Sequence, residues 1–116
     1  MKINSRDKGK RGEREFAALC REHGYDSVRR GQHYSGVNGD ADVVGLPGIH
    51  VEVKRVEKLN LYNAMAQALG DRKPGDMPIV AHRKNDCDWL ITMQAKDWCR
   101  IYSESSAPDS DKETWL

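Results

Sequence analysis

Residues 42–54 read Asp42-Val-Val-Gly-Leu-Pro-Gly-Ile-His-Val-Glu-Val-Lys54, with two short apolar runs on either side of a Leu-Pro-Gly turn. In the second run, apolar and polar residues alternate strictly, which is the two-residue period of a half-buried strand. The stretch therefore predicts a hairpin with one strand at residues 40–45 and the other at residues 49–54. Glu52 and Lys54 share the polar face of the second strand, about 7 Å apart along it.

The rest of the chain predicts helices and strands that complete a sheet around this hairpin. Residues 55–76 are long enough to hold a crossover helix, which implies a parallel strand pair after the hairpin. The order α-β-β-β-α-β-β-α predicts an α/β fold with a mixed, roughly five-stranded sheet flanked by helices. The last helix is expected to bury Trp98 and Ile101. The remaining predicted elements are helices at residues 10–23, 60–70 and 94–102 and strands at residues 25–30, 77–82 and 87–92.

Charge divides the 116-residue chain into a folded part and a tail. Residues 1–102 form one predicted domain that begins with a basic arm at residues 1–12. This part carries 18 basic and 14 acidic residues, a net charge of +4 that suits a polyanionic partner. Residues 103–116 carry one basic and four acidic residues and are expected to be disordered.

Cysteine spacing and hydropathy argue against a disulfide-stabilised, zinc-binding or membrane-spanning protein. The three cysteines form no Cys-x-x-Cys pair, which argues against a disulfide framework or a zinc knuckle. No apolar run reaches transmembrane length, and no hydrophobic signal region follows the basic N-terminus. We expect a soluble protein of a reducing cytoplasm with no membrane partner.

The charged residues of the hairpin are the groups that metal-assisted phosphodiester hydrolysis requires. Charged side chains seldom lie in buried strands unless they are paired or hold a metal. Asp42 and Glu52 can supply the oxygen ligands that Mg²⁺ prefers, and the carbonyl of Val53 is the expected third ligand. Lys54 can orient the attacking water or offset charge on the phosphate. A structural ion pair also explains the spacing, and Asp40 has the same strand parity as Asp42.

A further carboxylate is expected from the first helix. At about 100° per residue, Glu13 points the same way as Phe16 and Cys20, so it faces the predicted core. Glu15 points nearly the opposite way. Glu13 can therefore reach a second metal, or the first metal through water, although the helix dipole alone also favours an acidic residue near a helix start.

Two more polar residues are expected close to the hairpin. His50 lies on the polar face and is better explained as a surface or supporting group than as a metal ligand or general base. Gln67 belongs to a polar strip of the second helix and is expected to line the site wall. An exposed helix glutamine is nearly as good an explanation for it.

Four motifs resemble those of the PD-(D/E)xK nuclease superfamily, and within it those of archaeal-type Holliday junction resolvases and their phage relatives. The motifs are Lys8-Gly9, Gly12-Glu13-Arg14-Glu15, Asp42-Val-Val-Gly and Val51-Glu52-Val53-Lys54. The resemblance covers roughly residues 6–102 and implies a restriction-endonuclease-like core. It also implies catalytic roles for Glu13, Asp42, Glu52 and Lys54. Ser35 loosely matches the family's loop serine, and Ala41 stands where the superfamily name has proline.

The resemblance implies a Mg²⁺-dependent endonuclease of a bacterium or phage-infected cell that cuts branched DNA as a homodimer, with Mn²⁺ able to substitute. A dimer also suits the chemistry, because one chain supplies one set of catalytic residues and a four-way junction needs two symmetric incisions. A nuclease for flaps, nicks or duplex DNA and a non-catalytic DNA-binding module stay as alternatives. The expected DNA contacts are Lys8, Lys10, Arg11, Arg29, Arg30 and Ser35.

Overall fold

The computed structural model describes residues 5–31 and 41–105, which form three helices and a five-stranded sheet. The α/β prediction and the predicted order of elements are confirmed. The elements are α1 (Ser5–Glu22), β1 (Arg29–Arg30), β2 (Val43–Val44), β3 (Ile49–Arg55), α2 (Leu61–Asp71), β4 (Met77–Arg83), β5 (Leu90–Met93) and α3 (Ala95–Ser103).

The strands lie in the sheet in the order in which they occur in the chain. β3 and β4 are parallel, with α2 as the crossover between them, and the other neighbouring pairs are antiparallel. β3 is the central strand, and Glu52 on it lies opposite Val80 on β4. The predicted hairpin of β2 and β3 is therefore extended by a parallel strand, as residues 55–76 indicated.

A separate apolar core covers each face of the sheet. Phe16 and Cys20 of α1 pack against a cluster that includes Val51 and Val53 of β3. On the other face, Ala64, Met65 and Ala68 of α2 pack against Val80. The apolar row of β3 therefore faces α1, and its polar row lies on the face that α2 partly covers.

The first helix begins at Ser5, so the prediction that it begins at residue 10 is wrong, and residues 5–12 of the basic segment are helical. Glycine lowers helix stability by about 1 kcal/mol relative to alanine, which made a helix over this segment unexpected. Gly12, which also lies inside the predicted helix, has a packing role. A Cβ atom at Gly12 would lie 2.5 Å from Cβ of Arg55, so the missing side chain lets α1 approach β3 closely.

The first two strands are shorter than predicted, and Asp42 precedes β2 instead of lying within it. Val44 is followed by Gly45, which has a φ of +104° and approaches the backbone of Ser27 so closely that a Cβ atom would clash with it. This close approach ends β2 after two residues. The predicted turn at Leu46-Pro47-Gly48 is present, and Gly48 adopts a φ of +81° that favours glycine.

The prediction that α3 buries Trp98 and Ile101 is wrong. These side chains are 54% and 43% exposed, whereas the residue that α3 buries is Asp97. The predicted disordered tail at residues 103–116 falls almost entirely outside the described residues. Within residues 5–31 and 41–105, no helix is both long and apolar enough to span a membrane.

Candidate active site

Two hydrogen bonds fix Asp42 against the central strand, and a third joins it to the residue that follows β1. Its amide donates to the carbonyl of Val51 over 3.0 Å, and its carbonyl accepts from the amide of Gly31 over 2.9 Å. Its carboxylate Oδ2 accepts from the amide of Val53 over 2.8 Å. Asp42 therefore holds its carboxylate at the point where β3 extends beyond the end of β2, although it belongs to neither strand.

The Asp42 carboxyl meets the side chain of Glu52, which is almost fully buried. Burial raises the pKa of Asp42 to about 7, and the nearby charge of Glu52 adds to the rise. The Val53 amide opposes it, while the charge of Glu13 and a hydrogen bond with Glu52 raise the pKa further. Two buried carboxyl groups in contact repel each other when both are ionised, so a proton or a cation between them stabilises the pair.

The carbonyl of Val53, predicted as a third ligand, lies on the side of β3 that faces Asp42. Val51 and Val53 have the same parity, so their backbone groups point to the same edge of the strand. The Val51 carbonyl and the Val53 amide both bond to Asp42. The next backbone acceptor at this edge is the carbonyl of Val53.

Lys54 lies one residue further along β3, and its Nζ donates to Oε1 of Gln67 on α2 over 3.1 Å. The prediction that Gln67 lines the site is consistent with this contact. A structural ion pair within the hairpin, by contrast, predicts the Lys54 ammonium against Asp42 or Glu52. The ammonium is instead held by a neutral amide, which leaves its charge available to a phosphate.

Glu13 enters the site from α1 and is 9% exposed. Its Oε1 accepts a hydrogen bond from Nε of Arg30 over 2.9 Å. Its charge contributes to the raised pKa of Asp42, which places Glu13 within electrostatic reach of the carboxyl pair. Gly12 allows α1 to lie close enough to the sheet for Glu13 to reach the site. Neither this role of Gly12 nor the pairing of Arg30 with Glu13 was predicted from the sequence.

Glu15 serves a different purpose from Glu13. Its Oε2 lies 3.3 Å from Nε of Arg55 and 3.2 Å from Nη1 of Arg83, so it joins α1 to β3 and β4. The two glutamates therefore differ in their partners, but the prediction that Glu15 points away from the core is wrong, because it also reaches the sheet. Glu13 acts on Asp42, and Glu15 belongs to an ion-pair cluster.

His50 is buried, so the interpretation of it as a surface group is wrong. Its side chain lies on β3 beside Glu52, and its Nε2 is 3.7 Å from Oε2 of that carboxylate. Within the part of the chain that the structure describes, this Nε2 atom has no hydrogen-bond partner. A small rotation of either side chain would bring an imidazole N–H within hydrogen-bond distance of the carboxylate, so His50 is positioned to support Glu52.

The residues present fit a hard cation that keeps part of its water shell. Among residues 5–31 and 41–105, no group of three or more His, Cys, Asp or Glu side chains is arranged to hold a metal. Mg²⁺ is commonly bound by one or two carboxylates, with water completing its shell. Asp42 and Glu52, together with the carbonyl of Val53, provide such a set.

The basic residues predicted to contact DNA differ in their surroundings. Arg11 and Arg29 are exposed, whereas Lys8 and Lys10 on α1 are half-buried. Arg30 is engaged with Glu13, as described above. Ser35 and Asp40 lie outside the described residues.

Comparisons with models of protein families, with curated proteins and with solved structures find no match to this chain. The resemblance to PD-(D/E)xK nucleases therefore stays a prediction from the four sequence motifs. Function has to be inferred from the chemistry of Asp42, Glu52, Lys54 and their neighbours.

Proposed function

We propose that this protein is a divalent-metal-dependent endonuclease that hydrolyses phosphodiester bonds of branched DNA, with four-way junctions as its substrate and two chains acting together. The observation that carries the proposal is the buried contact between Asp42 and Glu52. Two carboxyl groups in such a contact destabilise the ionised protein at neutral pH, because each is desolvated and repelled by the other. A bound cation relieves both effects, which would explain why the two carboxyl groups lie in contact.

Each residue of the site has a distinct task in this proposal. Asp42, Glu52 and the Val53 carbonyl would hold Mg²⁺, which would supply a Lewis acid for the phosphate and for an attacking water molecule. Lys54 donates hydrogen bonds to the attacking water or to a phosphate oxygen, and Gln67 orients its ammonium for this purpose. Glu13 adds negative charge beside Asp42 and strengthens the attraction of the site for cations.

The charge distribution favours DNA as the polyanion. The residues up to position 102 carry a net charge of +4, which already includes the negative charges of the carboxylates at the site. A bound cation raises this value further. Lys8, Lys10, Arg11 and Arg29 lie on α1 and β1, the elements that adjoin Glu13, so DNA phosphates bound there lie near the carboxyl pair.

The choice of a four-way junction comes from the sequence resemblance, as does a location in the cytoplasm of a bacterium or phage-infected cell. A nuclease acting on flaps, nicks or duplex DNA has the same catalytic groups and is the second candidate. A DNA-binding module with structural carboxylates is the third. It is disfavoured because Asp42 has a pKa near 7, whereas a structural ion pair lowers the pKa of a carboxyl group.

The decisive experiment incubates the protein with a labelled four-way junction and with a linear duplex of the same sequence, in Mg²⁺ or in chelator. We expect paired symmetric nicks in the junction, only when Mg²⁺ is present. Asp42→Asn and Glu52→Gln are expected to abolish cutting while retaining junction binding, with Asp71→Asn on the exposed end of α2 as the matched control. Equal cutting of both substrates favours the second candidate, and binding without any cutting favours the third.

A further inference from the structure

Helix α3 buries Asp97 against its own chain and leaves its apolar side chains exposed to solvent. Asp97 is 8% exposed, while Trp98 is 54% exposed and Ile101 is 43% exposed. Asp97 and Arg100 line a polar cleft that also includes Arg72 at the end of α2. An amphipathic helix normally covers the core with its apolar side, so this arrangement leaves an apolar surface for another molecule.

The exposed side of α3 forms a rigid aromatic ridge. The rings of Trp98 and Tyr102 are stacked, with centroids 5.4 Å apart and planes only 5° from parallel. Ile101 adds an aliphatic surface on the same side of the helix. Tryptophan and tyrosine bury large areas at little cost in side-chain entropy, and they dominate the binding energy of many protein interfaces.

An apolar groove opens beside this ridge, with a volume of about 460 Å³. Tyr62, 90% exposed, stands at its rim. Ala95 at the start of α3 also lines the groove and lies about 60° around the helix axis from Trp98, so the ridge and the groove belong to one continuous surface. The other lining residues are Leu61 and Met65 of α2 and Thr92, Met93 and Gln94 at the junction of β5 and α3.

We propose that this surface binds a second copy of the same chain, with each copy placing its Trp98–Tyr102 ridge in the groove of the other. A ridge and a groove that lie side by side on one surface are complementary to themselves under a twofold rotation. Such a rotation produces a closed dimer, which is the commonest form of homo-oligomer. The ridge and groove then cover each other in both copies.

The exposed area supports a dimer of this kind. From their exposed fractions, Trp98, Tyr102 and Tyr62 together offer on the order of 300–450 Å² of surface. This is about half of the ~800 Å² that each partner contributes to a standard protein interface. Ile101 and the walls of the groove supply further apolar area, so the surface approaches the size of a stable interface.

This inference specifies the partner surface of the proposed junction-cutting dimer, and only its role in paired cutting rests on the proposed function. The carboxyl pair lies between β2 and β3, whereas α3 follows β5 at the opposite edge of the sheet. The proposed interface therefore leaves both sites accessible to DNA. Each chain would contribute one complete set of catalytic residues.

The test measures the mass of the full-length protein by light scattering and sedimentation. We expect the wild type to be a dimer, and Trp98→Glu to weaken dimerisation at least about 100-fold, because it puts a charge into the groove. Tyr25→Ala is the matched control, since Tyr25 is another aromatic residue, 58% exposed, far from α3 in the sequence. Circular dichroism checks that each variant is folded.

A monomeric wild type, or a Trp98→Glu variant that dimerises as tightly as the wild type, would overturn the inference. Residues 103–116 include a tryptophan, Trp115. If the wild type is a monomer and the Trp115→Ala variant is a dimer, this C-terminal segment occupies the groove in the wild type, which also overturns the inference. Junction cleavage is measured in parallel. A dimer that cuts no DNA refutes the proposed function alone, whereas an active monomer refutes the inference and the joint action of two chains but leaves the metal-dependent cutting in place.

Discussion

The Oδ2 atom of Asp42 accepts a hydrogen bond from the backbone amide of Val53 over 2.8 Å, although the two residues are eleven positions apart. This bond holds the carboxyl group beside Glu52, on the strand that also presents Lys54. It favours the ionised form of Asp42 but does not offset burial and the neighbouring carboxylates, so the pKa rises to about 7. We therefore expect the position of Asp42 to affect both the stability of the protein and its affinity for cations.

The raised pKa of Asp42 predicts that the metal-free protein becomes less stable as the pH rises. Between the unfolded value of 3.8 and the native value of about 7, the native state holds a proton that the unfolded state has lost. The free energy of unfolding therefore falls across this range, by at most about 1.4 kcal/mol per pH unit. Below the lower value this stabilisation is fully present.

Asp42→Asn is expected to remove this slope and to make the metal-free protein more stable than the wild type at pH 8. Urea unfolding at pH 5 and pH 8, in chelator, measures the effect. Asp71→Asn, which changes an exposed carboxylate, should keep the slope of the wild type. An Asp42→Asn protein with an unchanged slope would mean that the carboxyl pair does not govern the pH dependence.

Mg²⁺ is expected to stabilise the wild type more at pH 8 than at pH 6, because the cation competes with the proton of Asp42. A ligand at 100 times its Kd raises the free energy of unfolding by about 2.7 kcal/mol. Thermal unfolding with and without Mg²⁺ at both pH values measures this difference. Glu52→Gln should lose the stabilisation, and a variant that keeps it in full would place the cation elsewhere.

Several features of the site could be predicted from the sequence because they depend only on the repeat period of a strand or a helix. The alternation in β3 put Glu52 and Lys54 on one face, and the helical period separated Glu13 from Glu15. The surroundings of these residues could not be predicted, because they depend on which face of a strand or helix is covered by another element. The burial of His50 arises from packing between distant segments, and so does the outward face of α3. Gly12 carried a signal, since a glycine inside a helix often marks a close approach.

Lys54→Ala is expected to slow DNA cutting about 100-fold or more, in the range found for a lost catalytic proton donor or charge-stabilising group. Gln67→Ala removes only the contact that orients Lys54, so we expect a loss of about fivefold, equivalent to one hydrogen bond. Single-turnover cleavage with saturating protein separates these effects from DNA binding. Lys58→Ala, at an exposed position, should cut at the wild-type rate, and equal rates for Lys54→Ala would remove this ammonium from the mechanism.

His50 is expected to help hold Glu52 in the orientation that binds the cation. Its Nε2 is buried, has no hydrogen-bond partner among the described residues and lies 3.7 Å from Oε2 of Glu52. His50→Leu should weaken Mg²⁺ binding about tenfold, as found for groups that support metal ligands. His50→Gln keeps an N–H donor and should retain most of the affinity, as should His82→Leu on the neighbouring strand. Calorimetric titration with Mg²⁺ measures all three, and equal losses for the leucine and glutamine variants of His50 would leave it a purely structural role.

Glu13 and Glu15 provide a matched pair on one helix, because they share the chemistry and differ in their contacts. Glu13→Gln removes a negative charge from beside Asp42 and should slow cutting at least about tenfold, through weaker cation binding. Glu15→Gln weakens ion pairs with Arg55 and Arg83 that are partly exposed, so we expect a loss of stability of about 1 kcal/mol or less.

Cutting rates at several Mg²⁺ concentrations, together with urea unfolding, test this contrast. If Glu13 acts on the cation, high Mg²⁺ restores part of the rate of Glu13→Gln, because mass action compensates for weaker binding. Glu15→Gln should cut at the wild-type rate at every Mg²⁺ concentration. Equal losses of rate in the two variants would show that α1 contributes only its packing, and the site would then consist of Asp42, Glu52 and Lys54 alone.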